Sequence, residues 1–160
     1  RQMCIRDRGC TVVRDFAHNS ISMNALLQTA RSYDPARIIA VFGTGGRTRA
    51  RRHQLGEAVA KGADLAIITT DDPDRDDPAE VIADIATCFG PGSCPHVGIV
   101  DRREAVRYAL EQMRPGDMLL LCGKGREGYQ LVQGKKIPYD EEETVRSCAR
   151  ELLESRPQAL

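Results

Sequence analysis

Five short runs of apolar residues, separated by stretches of helical periodicity, constrain this chain more than any other feature. They are Thr11-Val12-Val13, Ile38–Phe42, Leu65-Ala66-Ile67-Ile68, Val97-Gly98-Ile99-Val100 and Met118-Leu119-Leu120-Leu121. Each is continuous rather than alternating, as in strands covered on both faces of a parallel sheet. Parallel strands need long crossovers, and the intervening segments supply them. Residues 21–32 and 54–61 read as helices. Val81, Ile82, Ile85 and Ala86 share one helical face, as do Ala105, Val106, Ala109, Leu110 and Met113, and again Val145, Cys148, Ala149, Leu152 and Leu153. The order β-α-β-α-β-α-β-α-β, then a ribbon, then a helix, predicts a Rossmann-like α/β fold. Its sheet is open and mostly parallel, with right-handed crossovers and helices on both faces. The small ribbon, residues 129–132 and 135–138 turning at Gln133-Gly134, is expected beside the last parallel strand. The domain is expected to cover residues 10–156. Residues 1–9 and 157–160 read as tails, since the first eight carry three arginines and no periodicity.

A chain of 160 residues favours one domain, with roughly 70% of its unfolded surface buried. Lys plus Arg equals Asp plus Glu at 23 each, which argues against nucleic-acid or membrane-surface binding. Aromatic residues are 4% and tryptophan is absent, so stacking platforms for single strands are not expected either. Of the six cysteines (Cys4, Cys10, Cys88, Cys94, Cys122, Cys148), none forms a C-x-x-C pair or a zinc-ligand spacing. Cys122 and Cys148 sit in apolar runs and read as buried small hydrophobes. No apolar stretch is long enough to cross a bilayer and no secretory signal is legible, so a cytoplasmic location is expected.

In open parallel sheets, ligands bind outside the carboxyl ends of the strands. Glycines and polar residues concentrate there: at 15–19, 43–52, 71–77, 101–102 and 123–127. Asp15, His18 and Asn19 suit hydroxyls or a base, although Asn19 or Ser20 suits a helix cap equally well. Gly43-Thr44-Gly45-Gly46-Arg47 permits close backbone approach to an anion, and Arg47 suits a carboxylate or phosphate. The same stretch also reads as a glycine turn before a solvated basic helix start. It is not a Walker loop, whose G-x-x-x-x-G-K-[ST] pattern does not occur in the sequence. Asp71, Asp72, Asp74, Asp76 and Asp77 are five carboxylates in seven residues, able to attract a metal or an ammonium group. Asp77 before Pro78 is also a helix start signal. Gly123-Lys124-Gly125-Arg126-Glu127 opens space for a ligand and offers both charges, or simply turns. His53 and His96 carry no expected chemistry, and no self-contained catalytic set or metal site is legible.

Taken together, D-F-A-H-N (15–19), F-G-T-G-G-R (42–47), T-T-D-D-P (69–73), D-R-R-E-A-V (101–106) and G-K-G-R-E-G-Y-Q (123–130) resemble, in order and spacing, the C-terminal domain of the Mur ligases. The last motif is the most specific and is similar to that of the UDP-N-acetylmuramoyl-tripeptide synthetase branch. The resemblance covers about residues 10–154. It implies one domain of an ATP-dependent, ADP-forming ligase of peptidoglycan synthesis. Such an enzyme adds a diamino acid to UDP-N-acetylmuramoyl-L-Ala-D-Glu through an acyl-phosphate. ATP and Mg2+ are the implied cofactors, held mainly by a central domain. The N-terminal and central domains of the same enzyme are the implied partners. By position, the resemblance places Asp15, His18 and Asn19 against the nucleotide and Arg47 on the amino acid's α-carboxylate. It places Asp71, Asp72 and Asp74 at the distal end of that substrate, with Gly123 and Glu127 contacting it too.

Three departures stand out: Ser20 replaces a common proline, the glycine loop is about one residue shorter, and the family's D-N-P-R is Asp71-Asp72-Pro73-Asp74. Members that add meso-diaminopimelate carry arginine at the position of Asp74. An acidic loop instead favours a lone distal ammonium, hence a basic amino acid such as L-lysine or L-ornithine, unless Arg75 shifts by one place and restores diaminopimelate. The rival readings are a folylpolyglutamate or cyanophycin synthetase and a stand-alone nucleotide-binding module.

Overall fold

Successive residues of a strand point to opposite sides of a sheet. In the central strand Ile38–Phe42 every one of the five is buried, so both sides must be covered. A computed structural model, describing residues 9–45 and 49–155, shows how. The elements in chain order are β1 Thr11–Asp15, α1 Ser20–Arg31, β2 Ile38–Phe42, α2 Arg49–Gly62, β3 Leu65–Thr69, α3 Pro78–Ala86, β4 His96–Ile99, α4 Arg102–Gln112, β5 Met118–Cys122, β6 Tyr129–Val132, β7 Lys135–Pro138 and α5 Glu141–Glu154. The expected tails lie outside the described residues, except Gly9, whose carbonyl accepts from the Gly116 N–H at 2.9 Å.

β1 to β5 form one parallel sheet in the order β1-β5-β2-β3-β4. Val13, Ile38, Ala40, Phe42, Ile68 and Leu120 pack on one side against α1, α2 and α3. Val12, Ile39, Val41, Ile67, Leu119 and Leu121 pack on the other against α4 and α5. The chain steps outward from β2 to β4, then returns to insert β5 between β1 and β2. Connections leave β5 and its neighbours toward opposite faces, which opens a crevice at their carboxyl ends.

Two features differ from the sequence reading. The strand at 96–99 is an edge strand with exposed His96 and Gly98. Val97 and Ile99 pack on one core cluster and Gly98 lies against Ile82 of the other, while among the described residues no strand pairs beyond β4. The ribbon is not beside β5: β6 and β7 make a separate antiparallel pair. Both edges of β5 are already occupied, by β1 and β2. The ribbon attaches instead to the acidic loop after β3, where Leu131 N–H donates to Asp72 Oδ1 at 2.8 Å and Asp74 N–H donates to the Leu131 carbonyl at 3.0 Å.

Side-chain caps fix the helix starts at the same rim. Asn19 caps α1 within a capping box, and Asp77, Asp101 and Asp140 cap α3, α4 and α5. Each such cap contributes about 1 kcal/mol. α2 begins earlier than its apolar periodicity suggests. Its first turns are tied to α3: Arg49 and His53 bond Asp84 at 2.7 and 3.1 Å.

Candidate functional site

The loops after β1, β2, β3 and β5 surround a cleft of about 550 Å3. Its walls include His18, Asp71, Asp72, Asp74, Gly123 and Glu127, six of the nine residues singled out in the sequence. A second space of about 550 Å3 adjoins it, bounded by Arg14, Asp15, Gly125 and Arg126. Phe16 and Glu127 border both. Asn19 is not part of either wall; its Oδ1 accepts from the Ser22 N–H at 3.0 Å to cap α1. Arg47 lies outside the described residues.

The floor of the first cleft begins with Gly123. Its φ of +102° favours glycine, and a Cβ there would stand 2.6 Å from Asp71 Oδ2. This turn sends Lys124 inward, where its side chain is fully buried. Nζ donates to Asp72 Oδ1 at 2.7 Å and to Glu127 Oε2 at 3.3 Å. It stands 3.7 Å from Asp71 Oδ1 and 5.3 Å from the Tyr129 ring centre. Burial pushes the Lys124 pKa down, but the Asp72 hydrogen bond and the charges of Asp71 and Asp72 prevail, so it is raised.

Asp71 is 5% exposed, and its Oδ1 accepts no hydrogen bond. Burial lifts its carboxyl from the ordinary 3.8 to about 6, against the opposing charges of Arg102 and Lys124. Beneath it lies a second buried pair. Arg102 donates to Glu141 at 3.1 and 2.7 Å, to the Cys122 carbonyl at 2.9 Å and to the Thr70 carbonyl at 3.4 Å. Tyr139 donates to Glu141 at 2.9 Å. Desolvation opposes the Arg102 charge, but Glu141 outweighs it and raises the pKa further. One guanidinium thus ties the ends of β3 and β5 to α4 and α5, below the acidic loop.

The remaining singled-out residues sit at the rim. Asp15 Oδ1 accepts from the Ala17 N–H at 2.8 Å. His18 Nδ1 is 2.8 Å from the Phe16 carbonyl, and the two rings meet edge to face. Asp74 adopts a left-handed φ of +54° and accepts from the Gly134 N–H at 3.2 Å. Among the described residues, no His, Cys, Asp and Glu side chains group as a metal-ligand set. Asp71, Asp72 and Glu127 converge on Lys124 instead. No helix among the described residues is long and apolar enough to cross a membrane.

Sequence reasoning noticed Lys124 only as a source of charge and gave Arg102 no role. The available signals were a lysine between two glycines, three residues before Glu127, and an arginine directly after a helix-capping aspartate. Their burial was not readable, because the carboxylates that accept them come from distant segments.

A family model described as Mur ligase, glutamate ligase domain, matches residues 1–125. Two relatives are UDP-N-acetylmuramoyl-L-alanyl-D-glutamate–2,6-diaminopimelate ligases. That of Caldanaerobacter subterraneus is 41% identical over 138 residues, covering 86% of this chain and 29% of the relative. That of a Nostoc species is 41% identical over 146 residues, covering 91% and 29%. The chain therefore spans under a third of the length of these curated relatives. A solved structure of a ligase of the same description superposes with a TM-score of 0.89 at 34% identity, over 96% of this chain and 32% of that one. A folylpolyglutamate synthase from Thermotoga maritima shares the fold alone, with a TM-score of 0.55 at 18% identity over 77% of this chain and 27% of that one.

Proposed function

The chain belongs to the Mur ligase family as its C-terminal domain, and from that premise we propose that it completes the amino-acid site of a ligase extending UDP-N-acetylmuramoyl-L-Ala-D-Glu in peptidoglycan synthesis. The observation that carries this reading is the cleft in which Asp71, Asp72, Gly123 and Glu127 meet around buried Lys124. Carboxylate oxygens on its walls suit the ammonium group of an amino acid. Phe16 and Glu127 border both spaces, so a nucleotide near Asp15 and an amino acid near Asp72 would lie side by side.

The reaction class is an ADP-forming amide ligation in the cytoplasm. A peptide carboxylate takes the terminal phosphoryl group of ATP, the incoming amine attacks the acyl carbon, and phosphate leaves. Catalysis of this kind is mostly positioning. We assign Asp15, His18 and the neighbouring rim to the nucleotide's sugar and base, and Arg47 to the amino acid's α-carboxylate. The sequence contains no Walker loop, so we assign the phosphates and Mg2+ mainly to the family's central domain.

For the added residue we propose meso-diaminopimelate. The relatives at 41% identity are diaminopimelate ligases. The three carboxylates of the acidic loop are not all free for a lone ammonium: Asp72 is held by Lys124 and Leu131, Asp71 faces Lys124, and Asp74 accepts from Gly134. L-Lysine is the second reading, because Asp74 rather than an arginine follows Asp71-Asp72-Pro73. The test is ADP formation by the complete enzyme, dependent on UDP-N-acetylmuramoyl-L-Ala-D-Glu, with each amino acid in turn. Higher kcat/KM with lysine overturns the diaminopimelate assignment; no turnover with either overturns the functional reading.

A further inference from the structure

We propose that Lys124 is a positioning residue of the amino-acid site: it draws one oxygen each of Asp72 and Glu127 inward, leaving the other oxygen of each facing the cleft as a receptor for the substrate's ammonium group. The inference rests on reading this cleft as the amino-acid site.

Lys124 is placed by the fold and cannot relax outward. Gly123 and Gly125, with φ of +102° and +51°, flank it in backbone conformations that favour glycine. A Cβ on Gly125 would also meet Phe16 at 2.9 Å. The side chain therefore enters the protein between two backbone reversals and ends at Nζ, among Asp72 Oδ1, Glu127 Oε2 and Asp71 Oδ1.

The hydrogen-bond bookkeeping separates the two oxygens of each acceptor. Asp72 Oδ1 receives both Lys124 Nζ and the Leu131 N–H. Glu127 Oε2 receives Lys124. Among the described residues, Asp72 Oδ2 and Glu127 Oε1 have no protein donor, while both side chains stay partly exposed, at 26% and 31%, on the cleft wall. Three carboxylates against one ammonium leave the cluster negative, so it attracts a further cation. Without Lys124 the same carboxylates would repel one another and either protonate or splay apart. A lysine that only tied loops together would need no such partial exposure of its acceptors.

The experiment uses the complete ligase and measures KM for amino acid, ATP and nucleotide-peptide, with kcat, in Lys124→Met, Lys124→Arg and Glu127→Gln. Lys124→Met is expected to raise the amino-acid KM at least about tenfold, the loss of a charge-assisted arrangement, while the ATP KM stays within about twofold. Lys124→Arg keeps the charge and is expected to recover part of that loss. Glu127→Gln tests the underlying reading by itself: an unchanged amino-acid KM there overturns the assignment of the cleft. A raised KM in Glu127→Gln with an unchanged one in Lys124→Met overturns the role of Lys124 alone. Should Lys124→Met fail to fold, Lys124→Arg decides. Its planar fork cannot meet the carboxylates as one nitrogen does, so a selective rise in the amino-acid KM supports the proposal. An equal rise in every KM, or none, refutes it.

Discussion

The carboxylate of Asp71 fills the space that a side chain at Gly123 would need, with Oδ2 2.6 Å and Cγ 3.0 Å from where a Cβ would stand. Two loops from strands that are not neighbours, β3 and β5, are therefore packed backbone to carboxylate at the floor of the cleft. Gly123→Ala is expected to lose about 1–3 kcal/mol of stability from the left-handed φ and the contact together. It should also weaken amino-acid binding by moving Asp71 and Lys124. Urea unfolding of the domain and the amino-acid KM of the complete enzyme check both; an alanine variant of unchanged stability contradicts this packing.

Asp71 makes stability depend on pH with a definite sign. Its carboxyl is raised from 3.8 to about 6 in the fold, chiefly by burial. An acid with a raised folded pKa is held more tightly protonated in the native state. Its ionisation therefore costs nothing below about pH 4, costs progressively more as pH climbs toward 6, and is fully unfavourable above that. Asp71→Asn should gain on the native protein by roughly 2–3 kcal/mol between about pH 4 and pH 7. Unfolding midpoints across that interval test it, and a pH-independent difference would sink the claim.

Arg102 and Glu141 form an ion pair with side chains 0% and 1% exposed. Removing one partner strands the other at a position shielded from solvent. Arg102→Met should cost about 3–5 kcal/mol, whereas Arg102→Met combined with Glu141→Leu should cost clearly less. Denaturant unfolding of the single and double variants measures the difference. A double-variant loss equal to the sum of the Arg102→Met and Glu141→Leu losses would mean that the pair adds no coupling.

The 160-residue chain by itself is expected to fold cooperatively and to show no ligase turnover. Its two core clusters close around one sheet, while its sequence contains no Walker loop. Far-UV circular dichroism through a thermal ramp, with a phosphate-release assay on the same sample, checks both halves. Turnover dependent on the nucleotide-peptide would contradict the expectation.

Much of the fold was legible because local rules govern it. Continuous apolar runs marked β1, β2, β3 and β5, and the caps at Asn19 and Asp77 formed where the residue types suggested. The edge position of β4 and the ribbon's seat on the acidic loop were not legible. Both depend on which strand edges remain free once the sheet has assembled. Asp74 illustrates the same limit: its sequence context advertises a free charge, while its backbone conformation and its bond from Gly134 make it part of a turn.

By itself, the sequence determined the alternation of strands and helices, the rim on which polar residues gather, and the motifs that mark the family. These follow from hydrophobic periodicity, glycine and capping chemistry, all set by residues close in the chain. Only the tertiary structure decided that Lys124 is buried among Asp71, Asp72 and Glu127, and that Arg102 is buried against Glu141. Burial of a charge is settled by what surrounds it, and here the partners lie 52 or 39 positions away or on the far side of a turn. Sequence shows that a charge is present; the assembled sheet decides whether it faces water, a counter-charge or a ligand.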